Sequence, residues 1–186
     1  AIDKYSYITA RYSKQFYDHK TALIYSEIEH VKDHKDIKHR VFRECLHYIG
    51  IHRGVELTHM IDIPSKSGSG SSSTFVVNLL NALHWLCGDA PNKDQLAKEA
   101  IYIEQEVLKD YVGSQDQIIA AHGGLNIVVM NSSNVFKVYP LRLKQEDLEY
   151  LQSNLLVFYT GISRTSSEVS KTYKPSKESH LKTLHL

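Results

Sequence analysis

The stretch SKSGSGSSS, residues 65–73, is the part of this 186-residue sequence whose composition most directly indicates chemistry. Six of its nine residues are serines, and Gly68 and Gly70 are glycines. Glycine lets a backbone approach an anion closely, and serine hydroxyls donate hydrogen bonds to phosphate oxygens or coordinate Mg²⁺. Composition alone leaves two interpretations open, a flexible linker between domains and a phosphate-binding loop. The loop is not a Walker A motif, because the pattern GxxxxGK[ST] is absent.

The segments on either side of this stretch favour the phosphate loop. Residues 54–63 alternate as in a β-strand, and residues 74–88 are apolar almost all round, which indicates a buried helix that ends at Gly88. A loop between a strand and a helix N-terminus can direct backbone N–H groups and the helix dipole at an anion. We therefore predict that phosphate is bound by Ser67, Gly68, Ser69, Gly70, Ser71, Ser72 and Ser73.

Glu104 lies in the apolar stripe of a helix predicted over residues 93–109. It is four residues from both Ala100 and Leu108, whereas the two residues after it turn away from the stripe. Burying an unpaired carboxylate costs on the order of several kcal/mol, so the group needs a cation, an ion pair or a strong hydrogen bond. A metal ion bound to a nucleotide is one such partner. The alternative is a glutamate at the edge of the stripe that reaches water.

Asp116 falls in the first turn of a short helix predicted within residues 113–124. An aspartate at this position complements the helix dipole, and that explanation suffices when Asp116 is taken alone. Together with the serine-glycine loop and Glu104, however, it supplies the third part that phosphoryl transfer from ATP requires. Those parts are a phosphate cradle, a ligand for Mg²⁺ and an acid that orients or deprotonates the attacking hydroxyl.

The elements that must position these residues form a mixed α+β pattern. Hydrophobic periodicity predicts the order β-β-α-β-α-α-α-β-β-α-β, without the regular alternation of a parallel doubly wound sheet. The predicted strands cover residues 2–12, 21–26, 54–63, 125–131, 135–143 and 154–161. The predicted helices cover residues 37–49, 74–88, 93–109, part of 113–124, and 145–152.

The charged segment EIEHVKDHKDIKHR, residues 27–40, contains three of the eleven histidines of the chain. Because no cysteine or carboxylate pattern completes a familiar ligand set with His30, His34 and His39, we predict a solvated surface here rather than a metal site.

The composition indicates a soluble cytoplasmic protein. Its 22 lysines and arginines balance 21 aspartates and glutamates, so no charge excess points to nucleic acid or an anionic membrane. Cys45 and Cys87 form no CxxC motif and suit a reducing compartment. The sequence shows neither a signal-peptide pattern nor an apolar run of membrane-spanning length.

These motifs resemble those of the GHMP kinases, the small-molecule kinases that include galactokinase, homoserine kinase and mevalonate kinase. IPSKSGSGSSSTF is similar to the family's phosphate-binding motif PxxxGLGSSxx, with Ser69 in place of the usual leucine. EQEVLKDYVGSQDQ resembles the family segment in which a Mg²⁺-ligating glutamate precedes a catalytic aspartate. The runs AAHGGLN and VFYTGISRTSSE are most similar to the bacterial D-glycero-D-manno-heptose 7-phosphate kinase branch.

The resemblance implies an ATP- and Mg²⁺-dependent sugar kinase that phosphorylates the anomeric hydroxyl of the heptose phosphate. It implies that the loop binds the triphosphate, and that Ser72 and Glu104 bind Mg²⁺. Asp116 would be the general base or the group that orients the sugar hydroxyl. Arg164, in the run GISR, would bind a substrate phosphate. The implied partners are ATP and a small-molecule sugar phosphate.

The resemblance also implies a domain organisation. Residues 1–161 would form the family's α+β N-terminal ATP-binding domain, and residues 162–186 would begin its C-terminal domain. We expect the family's first strand, its Gly-Gly-Thr-Asp sugar motif and its C-terminal glycine-rich loop to lie outside the chain. Two alternatives remain open. One is a catalytically inactive remnant that binds nucleotide weakly or acts as an interaction module. The other is a different substrate, such as fucose or a mevalonate-like alcohol.

Overall fold

The computed structural model describes residues 1–14, 16, 18–63, 68–131 and 135–158. The strands are β1 (Ser6–Tyr12), β2 (Thr21–Ile24), β3 (Ile28–Val31), β4 (Val55–Ile61), β5 (Asn126–Met130) and β6 (Phe136–Pro140). The helices are α1 (Arg40–Ile49), α2 (Ser71–Cys87), α3 (Lys93–Tyr102), α4 (Gln115–His122) and α5 (Gln145–Ser153). A 3₁₀ turn covers His34–Asp36, and a π-helical turn, Ile103–Val107, continues directly from α3.

A mixed four-stranded sheet carries the main core, in agreement with the predicted α+β class. Its strand order is β1-β4-β2-β3, in which β4 pairs antiparallel with β1 and parallel with β2. Helix α2 packs against β1 and contacts α1, α3 and α4. β5 and β6 form a separate antiparallel hairpin. The chain therefore passes from the central strand β4, through residues 62–70, into the most buried helix.

Helix α2 begins three residues earlier than its apolar run predicts. Gly70 adopts a left-handed backbone conformation, with φ of 72°, and the Thr74 N–H donates to the Gly70 carbonyl at 2.9 Å. Ser71, Ser72 and Ser73 consequently form the first helical turn rather than the end of a loop. The helix ends as predicted at Gly88, whose φ is 87°.

The segment over residues 27–40 is largely the solvated surface that its charges predict, but Glu29, Val31 and Ile37 are buried exceptions. It contains β3 and the 3₁₀ turn, and Glu29 is only 6% exposed. This carboxylate accepts hydrogen bonds from the Tyr25 hydroxyl (2.8 Å) and from the backbone N–H groups of Lys38 (2.6 Å) and His39 (3.1 Å). Burial acts to raise the pKa of Glu29, but these hydrogen bonds outweigh it, and the pKa lies below its ordinary value.

Two further sequence predictions differ from the structure. The helix predicted over residues 93–109 is α-helical only to Tyr102. The strand predicted over residues 154–161 is wrong for its first five residues, because 154–158 form no strand and Leu156 to Phe158 are highly exposed. Its last three residues lie outside the described part. Among the helices of the described ranges, none is long and apolar enough to cross a membrane.

Candidate active site

The N-terminus of α2 presents the described part of the serine-glycine loop. Gly68 and Gly70 have φ of 77° and 72°, which only glycine adopts without strain. Because Gly70 has no side chain that could accept hydrogen bonds, the N–H groups of the first turn are not capped by the residue before them. Such a turn is suited to bind an anion. The predicted phosphate ligand Ser67 lies outside the described residues, as do Lys66 and Arg164.

The three serines of this turn point in different directions. Ser71 is half-buried and lines a cleft of about 400 Å³, Ser72 is exposed, and Ser73 is only 3% exposed. Successive helix positions are about 100° apart, so a single turn supplies hydroxyls to the cleft, to solvent and to the interior. A ligand at the helix end therefore meets the first two serines, and the third supports the interior.

Asp116 lies directly against this helix end. It is exposed, occupies the first turn of α4 and lines the same cleft as Ser71. A β-carbon built on Gly70 would be 3.0 Å from its Cγ atom and 3.1 Å from its Oδ2 atom. The structure thus brings together the predicted phosphate loop and the predicted catalytic acid, which are 46 residues apart in sequence.

Glu104 is buried behind the first turn of α2, as its place in the apolar stripe predicts. Glu104 is only 1% exposed. The Ser72 hydroxyl lies 3.5 Å from its Oε1 atom, and the Gln117 amide donates to its Oε2 atom. The Ser73 hydroxyl also forms a hydrogen bond with the carboxylate. Serines from α2 and a glutamine from α4 therefore hold the group from two sides.

Glu104 lies within the π-helical turn that continues from α3. The Leu108 N–H donates to the Ile103 carbonyl at 2.8 Å, a step of five residues instead of four. One extra residue is accommodated in this turn, so the side chains after Tyr102 are rotated relative to a regular helix. Lys109 then ends the segment with a positive φ of 55°. π-turns of this kind are frequent at functional sites.

Burial raises the pKa of Glu104. Hydrogen bonds from Ser73 and Gln117 act in the opposite direction, and the negative charges of Asp110 and Asp116 raise the pKa further. Within the described ranges, no lysine, arginine or histidine forms a salt bridge with this carboxylate. The carboxylate thus has hydrogen-bond partners but no cationic partner among the described residues, and a cation would favour its ionised form.

The donor set fits Mg²⁺ in particular. A carboxylate and a serine hydroxyl are hard oxygen ligands, and Mg²⁺ in phosphoryl-transfer sites is held by one or two carboxylates together with substrate phosphates. Across the residues that the structure describes, no cluster of three or more histidines, cysteines, aspartates or glutamates could hold a metal without such help. Ser72 and Glu104 would hold the ion only together with a bound nucleotide.

The structure gives two residues of the site contacts that the sequence does not predict. The phosphate role of Ser73 stays a prediction, and its buried side chain forms a hydrogen bond with Glu104. The spacing of Ser114 and Gln117 predicts a helix-capping box, but Ser114 forms no side-chain cap hydrogen bond, and Gln117 is instead fully buried and bonded to Glu104. The one available signal was a glutamine followed by the apolar run IIAA, next to Asp116. Its partner is thirteen residues away on another element, which periodicity cannot identify.

Comparison with known proteins assigns this arrangement to a family. Residues 36–124 match the sequence model of the GHMP kinases N terminal domain. The match includes β4, α2, the π-turn and α4, and therefore Gly70, Glu104 and Asp116. This part of the chain is a GHMP kinase N-terminal domain. The assignment confirms the family and the fold that the three motifs predict.

The GHMP kinase domain has similar relatives among sugar kinases. D-glycero-alpha-D-manno-heptose 7-phosphate kinase of Campylobacter jejuni is 34% identical over 128 residues, which are 67% of this chain and 37% of that enzyme. L-fucokinase/L-fucose-1-P guanylyltransferase of Bacteroides fragilis is 32% identical over 123 residues, 62% of this chain and 12% of that enzyme. The chain thus spans little more than a third of the first relative and far less of the second.

A solved structure shows the same fold. The crystal structure of a D-glycero-D-manno-heptose 1-phosphate kinase from Bacteroides thetaiotaomicron superimposes with a TM-score of 0.73 at 21% identity. The similarity covers 81% of this chain and 52% of that one. At this identity the likeness establishes the architecture of the GHMP kinase N-terminal domain and leaves the substrate to chemical argument.

Proposed function

We propose that the protein is an ATP-dependent kinase that phosphorylates the anomeric hydroxyl of D-glycero-D-manno-heptose 7-phosphate. The observation that carries the proposal is the convergence of Gly70, Asp116 and Glu104 at the N-terminus of α2. The heptose substrate is supported by the 34% identity to the Campylobacter jejuni enzyme. Phosphate cradle, metal ligand and acid are the parts that phosphoryl transfer needs.

The first turn of α2 would bind the triphosphate of ATP. Its backbone N–H groups and the positive end of the helix dipole lie at the same helix end as Ser71, which lines the cleft, and Ser72, which is exposed. Ser72 and Glu104 would hold Mg²⁺, which when bound neutralises negative charge on the phosphates. These groups would orient the γ-phosphate towards the cleft that Asp116 lines.

Asp116 would act on the sugar hydroxyl. Its carboxylate is exposed to the cleft and lies against the loop, so a hydroxyl in the cleft can donate a hydrogen bond to it. Asp116 would orient that oxygen for attack on the γ-phosphorus and accept its proton as the new P–O bond forms and the bond to the leaving ADP breaks. Asn78 and Gln115 also line the cleft and offer polar contacts to a sugar.

The domain organisation belongs to the same proposal. Residues 1–161 would be the ATP-binding domain, and residues 162–186 would begin a second one. The binding site for the heptose phosphate would be completed by residues outside the described part of the chain, among them Arg164.

The proposal is tested by the products that the purified protein forms from ATP. With D-glycero-D-manno-heptose 7-phosphate and Mg²⁺, ³¹P NMR should detect a phosphate on the anomeric carbon. The fucokinase relative makes L-fucose the rival acceptor, to be assayed in parallel. Phosphorylation of fucose alone would overturn the heptose assignment. Nucleotide binding without transfer to any sugar would favour the catalytically inactive alternative.

A further inference from the structure

Gln117 combines complete burial with a position next to the predicted catalytic acid. It is 0% exposed and follows Asp116 directly on α4. Because successive helical residues are about 100° apart, Asp116 faces the cleft while Gln117 faces the interior. The two side chains therefore lie on different faces of the same short helix.

The Gln117 amide contacts one group of the site, the carboxylate of Glu104. Its Nε2 atom donates to Oε2, whereas the Ser72 hydroxyl lies 3.5 Å from Oε1. One carboxylate oxygen is thus held by α4, and the other is directed to the first turn of α2. Displacement of the carboxylate away from α4 would break the contact with Gln117.

Packing alone does not account for a glutamine at this position. The Gln117 Oε1 atom is buried without a hydrogen-bond partner among the described residues. A buried acceptor without a hydrogen-bond partner lowers the stability of the folded protein. The next residue, Ile118, is equally buried and packs with Ala97 and Phe136. An apolar side chain at position 117 would avoid this cost, so the donated hydrogen bond is the property that distinguishes glutamine here.

We propose that Gln117 is a positioning residue, which fixes Glu104 so that Oε1 faces a nucleotide-bound Mg²⁺ and which links that carboxylate to the helix of Asp116. The inference rests on the proposed function, because it assumes that Glu104 binds the metal. Hydrogen-bond partners behind a metal ligand orient it, and their removal typically lowers metal affinity about 10- to 100-fold.

The test compares ADP binding with and without Mg²⁺ by calorimetry in the purified protein. Gln117→Met keeps the length of the side chain and removes its donor. We expect the gain in ADP affinity that Mg²⁺ provides to fall about tenfold or more, while affinity for metal-free ADP changes little. Ile118→Met is the matched control, a volume-conserving change in the next buried residue, and should retain the full gain.

A second measurement needs no variant. In the wild-type protein, the Nε2 resonance of Gln117 should shift when Mg²⁺ is added to the ADP complex, and should not shift when metal-free ADP is added.

The outcomes separate the inference from the proposed function. If Mg²⁺ raises the ADP affinity of Gln117→Met as much as that of the wild type, the positioning role is overturned and the proposed function is not. An equal loss in Ile118→Met would assign the effect to packing, and it too would overturn that role. If the wild type binds ADP with the same affinity with and without Mg²⁺, the assignment of Glu104 as a metal ligand is rejected, and the role of Gln117 with it.

Discussion

The carboxylate of Asp116 occupies the space that a side chain on Gly70 would need. A β-carbon at Gly70 would lie 3.0 Å from Cγ and 3.1 Å from Oδ2 of the aspartate, closer than nearly all real contacts of this kind. Gly70 also has φ of 72°, a conformation that other residues rarely adopt. Glycine is therefore required at this position for two reasons, the backbone conformation of the turn into α2 and the close approach of Asp116 on α4.

The first prediction separates these two requirements with Gly70→Ala and Gly88→Ala. Both glycines have a left-handed backbone at the ends of α2, but nothing lies within 4 Å of a β-carbon at Gly88. We expect each substitution to cost about 1–2 kcal/mol of folding free energy. Only Gly70→Ala should also lower kcat, by roughly tenfold to a hundredfold, because it displaces Asp116. Equal kcat in the two variants would show that the contact with Asp116 does not matter for turnover.

The second prediction concerns the acid itself. Asp116→Asn preserves the shape of the side chain and removes its ability to accept a proton. We expect kcat to fall about 10²- to 10⁴-fold with little change in the KM for ATP. Asp147→Asn is the control, because Asp147 is an exposed aspartate in the first turn of α5. Near-normal turnover of Asp116→Asn in a steady-state assay would refute the role assigned to Asp116.

The burial of Glu104 could be predicted from the sequence, but its orientation could not. Its place in an apolar stripe is a local property, since residues three and four apart share a helix face. The π-turn and the hydrogen bond from Gln117 depend on how α3 and α4 pack, and no pattern within either helix contains that information.

At Glu29, the burial itself could not be predicted from the sequence. Periodicity places charged residues in solvent, and a buried carboxylate reverses the pattern of β3, so that Glu29 and Val31 face inward while Ile28 is exposed. The backbone N–H groups that stabilise it come from residues nine and ten positions later. Charge alone does not predict exposure where backbone N–H groups stabilise a buried carboxylate, as they do at Glu29.

The third prediction distinguishes two neighbouring serines in the first turn of α2. Ser72 lies 3.5 Å from Glu104, whereas Ser71 lines the cleft. Ser72→Ala should reduce the affinity for Mg²⁺-ADP about tenfold or more and leave metal-free ADP binding nearly unchanged, because it would remove one of the two proposed metal ligands. Ser71→Ala should lower the affinity for Mg²⁺-ADP and the affinity for metal-free ADP to a similar extent. Calorimetric titrations that show the same Mg²⁺ dependence for the two variants would remove Ser72 from the metal site.

The fourth prediction concerns the loss of folding stability that the buried Glu104 carboxylate causes in the ligand-free protein. Burial raises its pKa in the folded state, so folding stability is highest when the group is protonated and falls as pH rises through the folded-state pKa. Glu104→Gln removes this loss, and rotation of the Gln117 amide would let the unpartnered Oε1 accept from the new side chain. We expect the variant to have a higher Tm than the wild type at pH 8.

Thermal denaturation between pH 4 and pH 8 measures this difference. It should shrink to nothing below the ordinary glutamate pKa of 4.5, where both proteins are neutral at this position. Each 1 kcal/mol gained at high pH corresponds to about 2–4 °C in a chain of this size. Glu99→Gln on the same helix should instead lower Tm, because Glu99 lies 2.7 Å from the His84 Nε2 atom. A Glu104→Gln variant less stable than the wild type at pH 8 would mean that the carboxylate stabilises the fold, and that its burial needs no cation to explain it.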